Sequence, residues 1–236
     1  KNADPLEALG YQTAYALDLT MHPYPISQTL YYTGGVLGME VPMTFQNIKD
    51  EGGISFLHAN PPCIVLGKAA LAAELPTQAA AFIAARHLTY YRPGMYIRHL
   101  VPSGTGMRAW LFAAVRMFHD QFPLADEIET PVAENVEIIR QYIPGHVREQ
   151  LADPVNKLLQ SGAIDLKRWV AGVDLTADRA GFLVANDLEI ATEMIKATEE
   201  DNSAISHRDR IKELTLFGVD RKYFDLRRRL GINIDA

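Results

Sequence analysis

The chain has 236 residues, of which 48% are hydrophobic and 22% are charged, and its formal net charge is −6. This length and apolar content suffice for a substantial buried core. Charges of both signs are mixed along an acidic chain, so the composition argues against a nucleic-acid-binding protein, which normally has a basic face. The run Arg227-Arg228-Arg229 is diluted by Asp220 and Asp225 and is interpreted as a solvated helix face.

Cysteine content and hydropathy favour a soluble, cytoplasmic protein. Cys63 is the only cysteine, so no intrachain disulfide can form, and its apolar neighbours predict a buried thiol. No apolar run reaches about 18 residues, so no membrane span is expected. The chain begins with Lys1 and shows no signal peptide. We therefore expect the C-terminal module of a longer chain.

The first third of the chain predicts one helix and a small sheet. Residues 4–19 predict a helix, because Asp4-Pro5 supplies an N-cap and a proline at the first helical position. Residues 21–26 hold two prolines and predict a connector. Between about residues 30 and 67, β-prone runs separated by Gly-Gly and Pro-Pro pairs predict three or four strands of an antiparallel or mixed sheet. These runs are LYYTGGV, VPMTF, ISFLH and CIVLG.

After Gly67 the periodicity is helical almost to the end of the chain. The predicted helices are 68–74, 77–91, 105–119, 131–142, 145–161, 165–185, 187–198, 207–217 and 220–229. No repeat with a period of 20 to 50 residues is present, which argues against a solenoid. The sequence therefore predicts an α+β fold that is predominantly helical, in a single domain over residues 1–236.

Two of the predicted helices contain short motifs that follow one another in a particular order along the chain. Residues 86–90 read RHLTY and follow an Ala-rich stretch, and residues 174–181 read DLTADRAG. With the preceding strand CIVLG, this order resembles the HExxH zinc metallopeptidases of the HtpX and CAAX-prenyl-protease type over about residues 25–200. That family carries two His ligands and a general-base Glu on the first helix and a Glu ligand on the second. The resemblance implies a zincin-like metallopeptidase fold.

The positions that carry chemistry in that family hold other residues here. Arg86 and Tyr90 stand at the two His positions, His87 at the general base, Asp174 at the Glu ligand, and Asp178 at an Asp that the family also has. An arginine is permanently protonated and has no lone pair for zinc, and tyrosine is a rare ligand. The resemblance thus implies a degenerate site without catalytic residues, metal or cofactor.

The substitutions suggest that side chains compensate for the missing ion. A guanidinium beside a carboxylate can fill the space of a dication with a bidentate pair. We expect a salt bridge between Arg86 and Asp174, with Tyr90 or Asp178 hydrogen-bonded nearby. The alternative is that Arg86 simply reaches solvent, since arginine is seldom fully buried.

Further candidates lie just after the first of these helices. Tyr91, Arg92 and Tyr96 belong to an aromatic-rich run that is typical of an interface, and equally of core packing around a reversal at Pro93-Gly94. The spacing of His87 and His99 matches no recognised metal site, so structural histidines are expected.

The resemblance implies a pseudopeptidase module that acts in protein–protein interaction or scaffolding. The vestigial peptide cleft could hold a partner segment by strand addition. In some bacterial multidomain proteins such a domain follows tetratricopeptide-type repeats. The alternative is a hydrolase with a repurposed acid–base or shifted metal site around His87, Asp174 and Asp178. A purely structural domain without a ligand is a third interpretation.

Overall fold

The computed structural model describes residues 5–101, 104–162, 165–198 and 204–232. In these ranges the chain is mostly helical with one small sheet, which confirms the α+β class. The chain forms two compact units, one of Lys1–Leu100 with Ala171–Ala236 and one of Val101–Val170. That all of it belongs to a single domain stays a prediction. No helix of the described ranges is both long and apolar enough to cross a membrane.

The elements follow one another in chain order. The helices are α1 (Pro5–Ala8), α2 (Pro25–Leu37), α3 (Thr77–Thr89), α4 (Ile97–Leu100), α5 (Gly104–Arg116), α6 (Asp126–Tyr142), α7 (Gly145–Gln160), α8 (Leu166–Ala185), α9 (Leu188–Lys196), α10 (His207–Gly218) and α11 (Arg221–Arg229). The strands are β1 (Thr44–Asn47), β2 (Ile54–Leu57) and β3 (Cys63–Gly67), and a 3-10 turn spans Thr13–Tyr15.

The sheet is mixed, and β3 lies at its centre, parallel to β1 and antiparallel to β2. All of β3 is buried, as a continuous apolar run predicts for a central strand. Its alternate side chains serve two clusters. Ile64 and Leu66 pack with residues of α2 and α3, whereas Cys63 packs with Phe45 and Leu6.

Small residues let α3 approach its neighbours closely. Its alanines are good helix formers, and Ala80 and Ala84 are fully buried in the cluster that includes α2. On another side α8 comes close at Gly181, where a Cβ would lie 2.7 Å from a ring carbon of Phe82. This contact fixes how α3 and α8 meet at the candidate site.

The predicted strand LYYTGGV is wrong, because these residues belong to helix α2. Pro25 stands at the first turn, and Ile26, Leu30 and Gly34 recur at helical spacing on its buried face. Gly34 does not interrupt a strand; it allows α2 to pack closely, since a Cβ there would lie 2.6 Å from Cγ2 of Val41. The sheet therefore begins at Thr44 rather than near residue 30.

The predicted helix 4–19 is also wrong where the chain is described; Asp4 lies outside the described residues. Helix α1 ends at Ala8, and Gly10 adopts a φ of +82° that a continuing helix does not allow. Further on, the backbone N–H of Leu17 donates to the carbonyl of Thr44 at 2.8 Å. Contact with β1 has replaced local helical bonding.

The remaining predicted helices are present except 68–74, which forms turns. There the N–H groups of Lys68 and Ala69 donate to the carbonyls of Asp50 and Gly52 instead. Helix α4 was not predicted from the sequence. In the second unit, α6 starts at Asp126, ahead of the predicted residue 131, and packs on α5 through a small apolar cluster.

Candidate functional site

Two side chains one turn apart on α3 each bind a carboxylate on α8. Nε of Arg86 donates to Oδ1 of Asp178 at 2.9 Å, and the hydroxyl of Tyr90 donates to Oδ1 of Asp174 at 3.0 Å. The later residue of α3 pairs with the earlier residue of α8. The two helices therefore run antiparallel across this contact.

The ion pair of Arg86 differs from the expected one. Arg86 was expected to bind Asp174, but the antiparallel register places it opposite Asp178, one turn further along α8. Tyr90 occupies the position opposite Asp174 instead. About a quarter of the Arg86 side chain is exposed, at 24%, so the group is neither sealed nor simply solvated.

A second arginine, which the sequence analysis missed, completes the surroundings of Asp178. Arg210 of α10 donates from Nε to Oδ2 at 2.8 Å and from Nη2 to Oδ1 at 2.7 Å, in a bidentate pair. The side chains of Arg210 and Asp178 are each only 1% exposed. The available signal was that Arg210 lies one turn before Leu214 on the buried face of α10. A cation on an apolar face requires a buried partner.

Asp174 also forms an ion pair with an arginine that was not predicted from the sequence. Nη2 of Arg98, in the one-turn helix α4, lies 3.4 Å from Oδ2 of Asp174, and both side chains are 5% exposed. A single turn such as α4 has too few residues for a periodic pattern, so no local signal indicated this helix.

Together these side chains form what we term the arginine–aspartate network. Its members are Arg86, Arg98, Arg210, Asp174 and Asp178, with Tyr90 hydrogen-bonded to it. Three guanidinium groups thus face two carboxylates in a largely buried space. Among the described residues, no group of three His, Cys, Asp or Glu side chains is placed to hold a metal ion.

His87, which the resemblance aligned with a general base, packs against an aromatic ring of the sheet. Its ring stacks on Phe56 at a centroid distance of 4.0 Å, and His99 stacks on the same ring at 3.9 Å. His87 is 5% exposed, and its Nε2 has no hydrogen-bond partner in the described part of the chain. It is therefore packed as an aromatic group.

Both imidazoles are held in the neutral form. Burial, followed by the charges of His99 and Arg86, lowers the pKa of His87 well below its ordinary value. Burial, and then the charges of Arg98, Arg86 and His58, lowers the pKa of His99 to about 3. At neutral pH neither ring contributes a positive charge beside the arginines.

The predicted binding residues Tyr91, Arg92 and Tyr96 line one cavity of about 780 Å³. Their polar atoms already have partners within the chain. The hydroxyl of Tyr91 donates to the carbonyl of Cys63 at 2.7 Å, and Nη2 of Arg92 donates to the carbonyl of Leu37 at 2.8 Å. The hydroxyl of Tyr96 lies 2.9 Å from Nδ1 of His58. Binding and packing both remain open as roles for this group.

A separate surface is the outer edge of β2, none of whose residues lines that cavity. Gly67 donates to the carbonyl of Gly53 at 2.7 Å, so alternation along the antiparallel pair directs the backbone groups of Ile54 and Phe56 away from β3. Among the described residues, none hydrogen-bonds to these groups. The outer backbone groups of β2 are therefore unpaired in the part of the chain that the structure describes.

Comparisons of the chain with protein-family models, with curated proteins and with solved structures return no match. The resemblance to HtpX-type peptidases accordingly stays a prediction. Function has to be argued from the geometry of the site.

The depressed pKa of His87 predicts a specific loss of stability in acid. Because its pKa is lower in the folded than in the unfolded chain, the unfolded chain binds more protons below about pH 6.5, so stability falls as the pH falls. The variant His87→Phe removes this titration. We expect the free energy of unfolding of the natural chain to decline more steeply below pH 6, by about 1.4 kcal/mol per pH unit, than that of the variant.

Urea unfolding at a series of pH values measures both slopes. The matched control is His146→Phe, which makes the same replacement at an exposed position. An unaltered slope in His87→Phe would show that this imidazole is not held neutral.

Proposed function

We propose that the chain is a non-catalytic, HtpX-like pseudopeptidase module that binds another protein. The proposal rests on the residues that stand at the three positions aligned with the zinc ligands of that family. Arg86, Tyr90 and Asp174 are all engaged in ion pairs or hydrogen bonds between protein side chains. A hydrolytic zinc site needs three free ligands and an open position for water.

The helix register supports the metallopeptidase part of the proposal. In an HExxH site, two ligands one turn apart on one helix must face a third ligand on a later helix. The positions at issue satisfy this requirement, because residues 86 and 90 share the face of α3 that meets α8. Tyr90 touches Asp174 directly, at 3.0 Å. This register is what we expect of a scaffold that keeps the helix geometry of a metal site with side chains that do not suit a metal.

The free edge of β2 supports the binding part of the proposal. An extended peptide can add to a sheet edge through main-chain hydrogen bonds, without any catalytic group. Ile54 and Phe56 offer outward N–H and C=O groups, and the ring of Phe56 packs on His87 of α3. This edge therefore lies beside the degenerate site, where a peptidase cleft would hold its substrate.

The hydrolase alternative is supported less well by the geometry. It requires His87 to pair with a carboxylate in a cleft open to solvent. His87 is instead buried against Phe56, and Asp178 is held by Arg86 and Arg210. The described residues do not form the imidazole–carboxylate pair that this mechanism needs.

Restoring the family's residues tests whether the metal-site geometry is retained. The variant Arg86→His, His87→Glu, Tyr90→His and Asp174→Glu rebuilds the HExxH pattern and its third ligand. We expect it to bind close to one zinc per chain, since the helix positions already converge. Elemental analysis after dialysis measures this, with circular dichroism to establish that the variant is folded.

The control carries His87→Glu and Asp174→Glu alone and lacks both histidines, so its zinc content should stay at the level of the natural chain. A folded fourfold variant without zinc would show that the positions do not converge as in a metallopeptidase.

Removing one outward N–H from β2 tests strand addition. Ile54→Pro deletes a donor on the free edge without affecting a hydrogen bond to β3. On a random-sequence peptide array, we expect the captured peptides to bind this variant at least about tenfold more weakly. Ile54→Ala, which keeps the N–H, is the matched control and should retain binding. Equal losses in both variants would contradict main-chain recognition at this edge.

A further inference from the structure

A groove in the unit formed by Lys1–Leu100 and Ala171–Ala236 lies apart from the arginine–aspartate network. Two cavities, of about 870 and 780 Å³, adjoin one another. They share the lining residues Leu17, Leu19, Met39, Glu40 and Val41. We term these two neighbouring cavities the groove; most of the residues that they share are apolar, and no residue of β2 lines either cavity.

The larger cavity is bordered by a face of α2 that nothing in the described chain covers. Tyr31 and Tyr32 are 60% and 54% exposed, and a Cβ on Gly35 would meet no atom within 4 Å. A glycine inside a helix costs about 1 kcal/mol relative to alanine. Gly34 is required by its contact with Val41, but no packing contact requires Gly35. Its effect is to leave the groove deeper.

The charged side chains that line the larger cavity in the described chain are acidic. Asp18 and Glu40 line it, and no Lys, Arg or His is found among its lining residues in the described chain. The hydrogen bonds from Thr20 lower the pKa of Asp18, so its carboxylate is ionised at neutral pH. Two carboxylates next to two exposed aromatic rings suit a cation, through ion pairing and contact with the ring faces.

We propose that this groove binds an extended, mainly apolar segment of a partner protein that places one Lys or Arg side chain beside Asp18 and Glu40 and against Tyr31 and Tyr32. Two neighbouring cavities of about 870 and 780 Å³ favour a chain segment over a small molecule, because one small ligand would occupy only part of this space. The proposal does not depend on the metallopeptidase resemblance or on peptide binding at β2.

Pools of short fluorescent peptides test the charge preference on the full chain. The pools share randomised apolar flanks of Leu, Val, Ile, Ala and Pro and differ only in a central Arg, norleucine or Glu. We expect the Arg pool to bind roughly tenfold more tightly than the norleucine pool at low salt, and the Glu pool to bind weakest. In the double variant Asp18→Asn and Glu40→Gln this preference should vanish. Glu74→Gln, which alters an exposed carboxylate outside the groove, should preserve it.

Two further variants locate the binding. Gly35→Leu places a side chain in the cavity and should weaken binding of the Arg pool, whereas Ile54→Pro at the β2 edge should leave it unchanged. The proposal is overturned if the Arg and norleucine pools bind equally, or if the preference survives in the double carboxylate variant. It is also overturned if Ile54→Pro abolishes binding while Gly35→Leu does not, a result that would support peptide capture at β2.

Discussion

In the first unit, the packing of helices α3 and α10 on α8 depends on the carboxylate of Asp178. It accepts hydrogen bonds from Arg86 of α3 and from Arg210 of α10, and thereby ties both helices to α8. Asp178 is fully buried and Arg210 nearly so. A buried ion pair contributes little net stability relative to apolar packing, but the loss of one partner leaves an uncompensated charge and is costly. The network therefore specifies how the three helices meet more than it stabilises them.

This arrangement gives physical content to the proposed loss of metal. A zinc ion would hold α3 and α8 together through ligands that must otherwise remain free. Here Arg86 and Arg98 bring positive charge to the carboxylates of α8, and Tyr90 supplies a hydrogen bond to Asp174. On this account the helices stay joined without an ion, and the proposed protein partner binds at surfaces with free main-chain or charged groups. The β2 edge and the groove beside α2 are two such surfaces.

Most of the helices and all three strands were predictable because their signals are local. Alanine-rich and amphipathic periods identified α3 and α8, and short β-branched or aromatic runs between turn residues identified β1 to β3. Local signals misled at Gly34, where a glycine that permits close packing resembled a break between strands. They also misled over residues 4–19, where pairing with β1 overrides helix propensity.

Four residues of the site were expected from the sequence, but neither the pairing among them nor the two further arginines was. The metallopeptidase resemblance implied that the helix faces of Arg86, Tyr90, Asp174 and Asp178 meet, yet the antiparallel register that pairs Arg86 with Asp178 is a tertiary property. Arg210 lies 32 residues from its partner in the sequence, and Arg98 lies 76 residues from Asp174. No local pattern connects residues at such separations.

The most direct measurement is the effect of Asp178→Asn on the free energy of unfolding, compared with Glu213→Gln. Both residues form ion pairs between α8 and α10, but the pair of Arg179 and Glu213 is 41% exposed on each side. We expect a loss of about 3–5 kcal/mol for Asp178→Asn and of no more than about 1 kcal/mol for Glu213→Gln. Similar small losses in the two variants would contradict a buried carboxylate that holds these helices together.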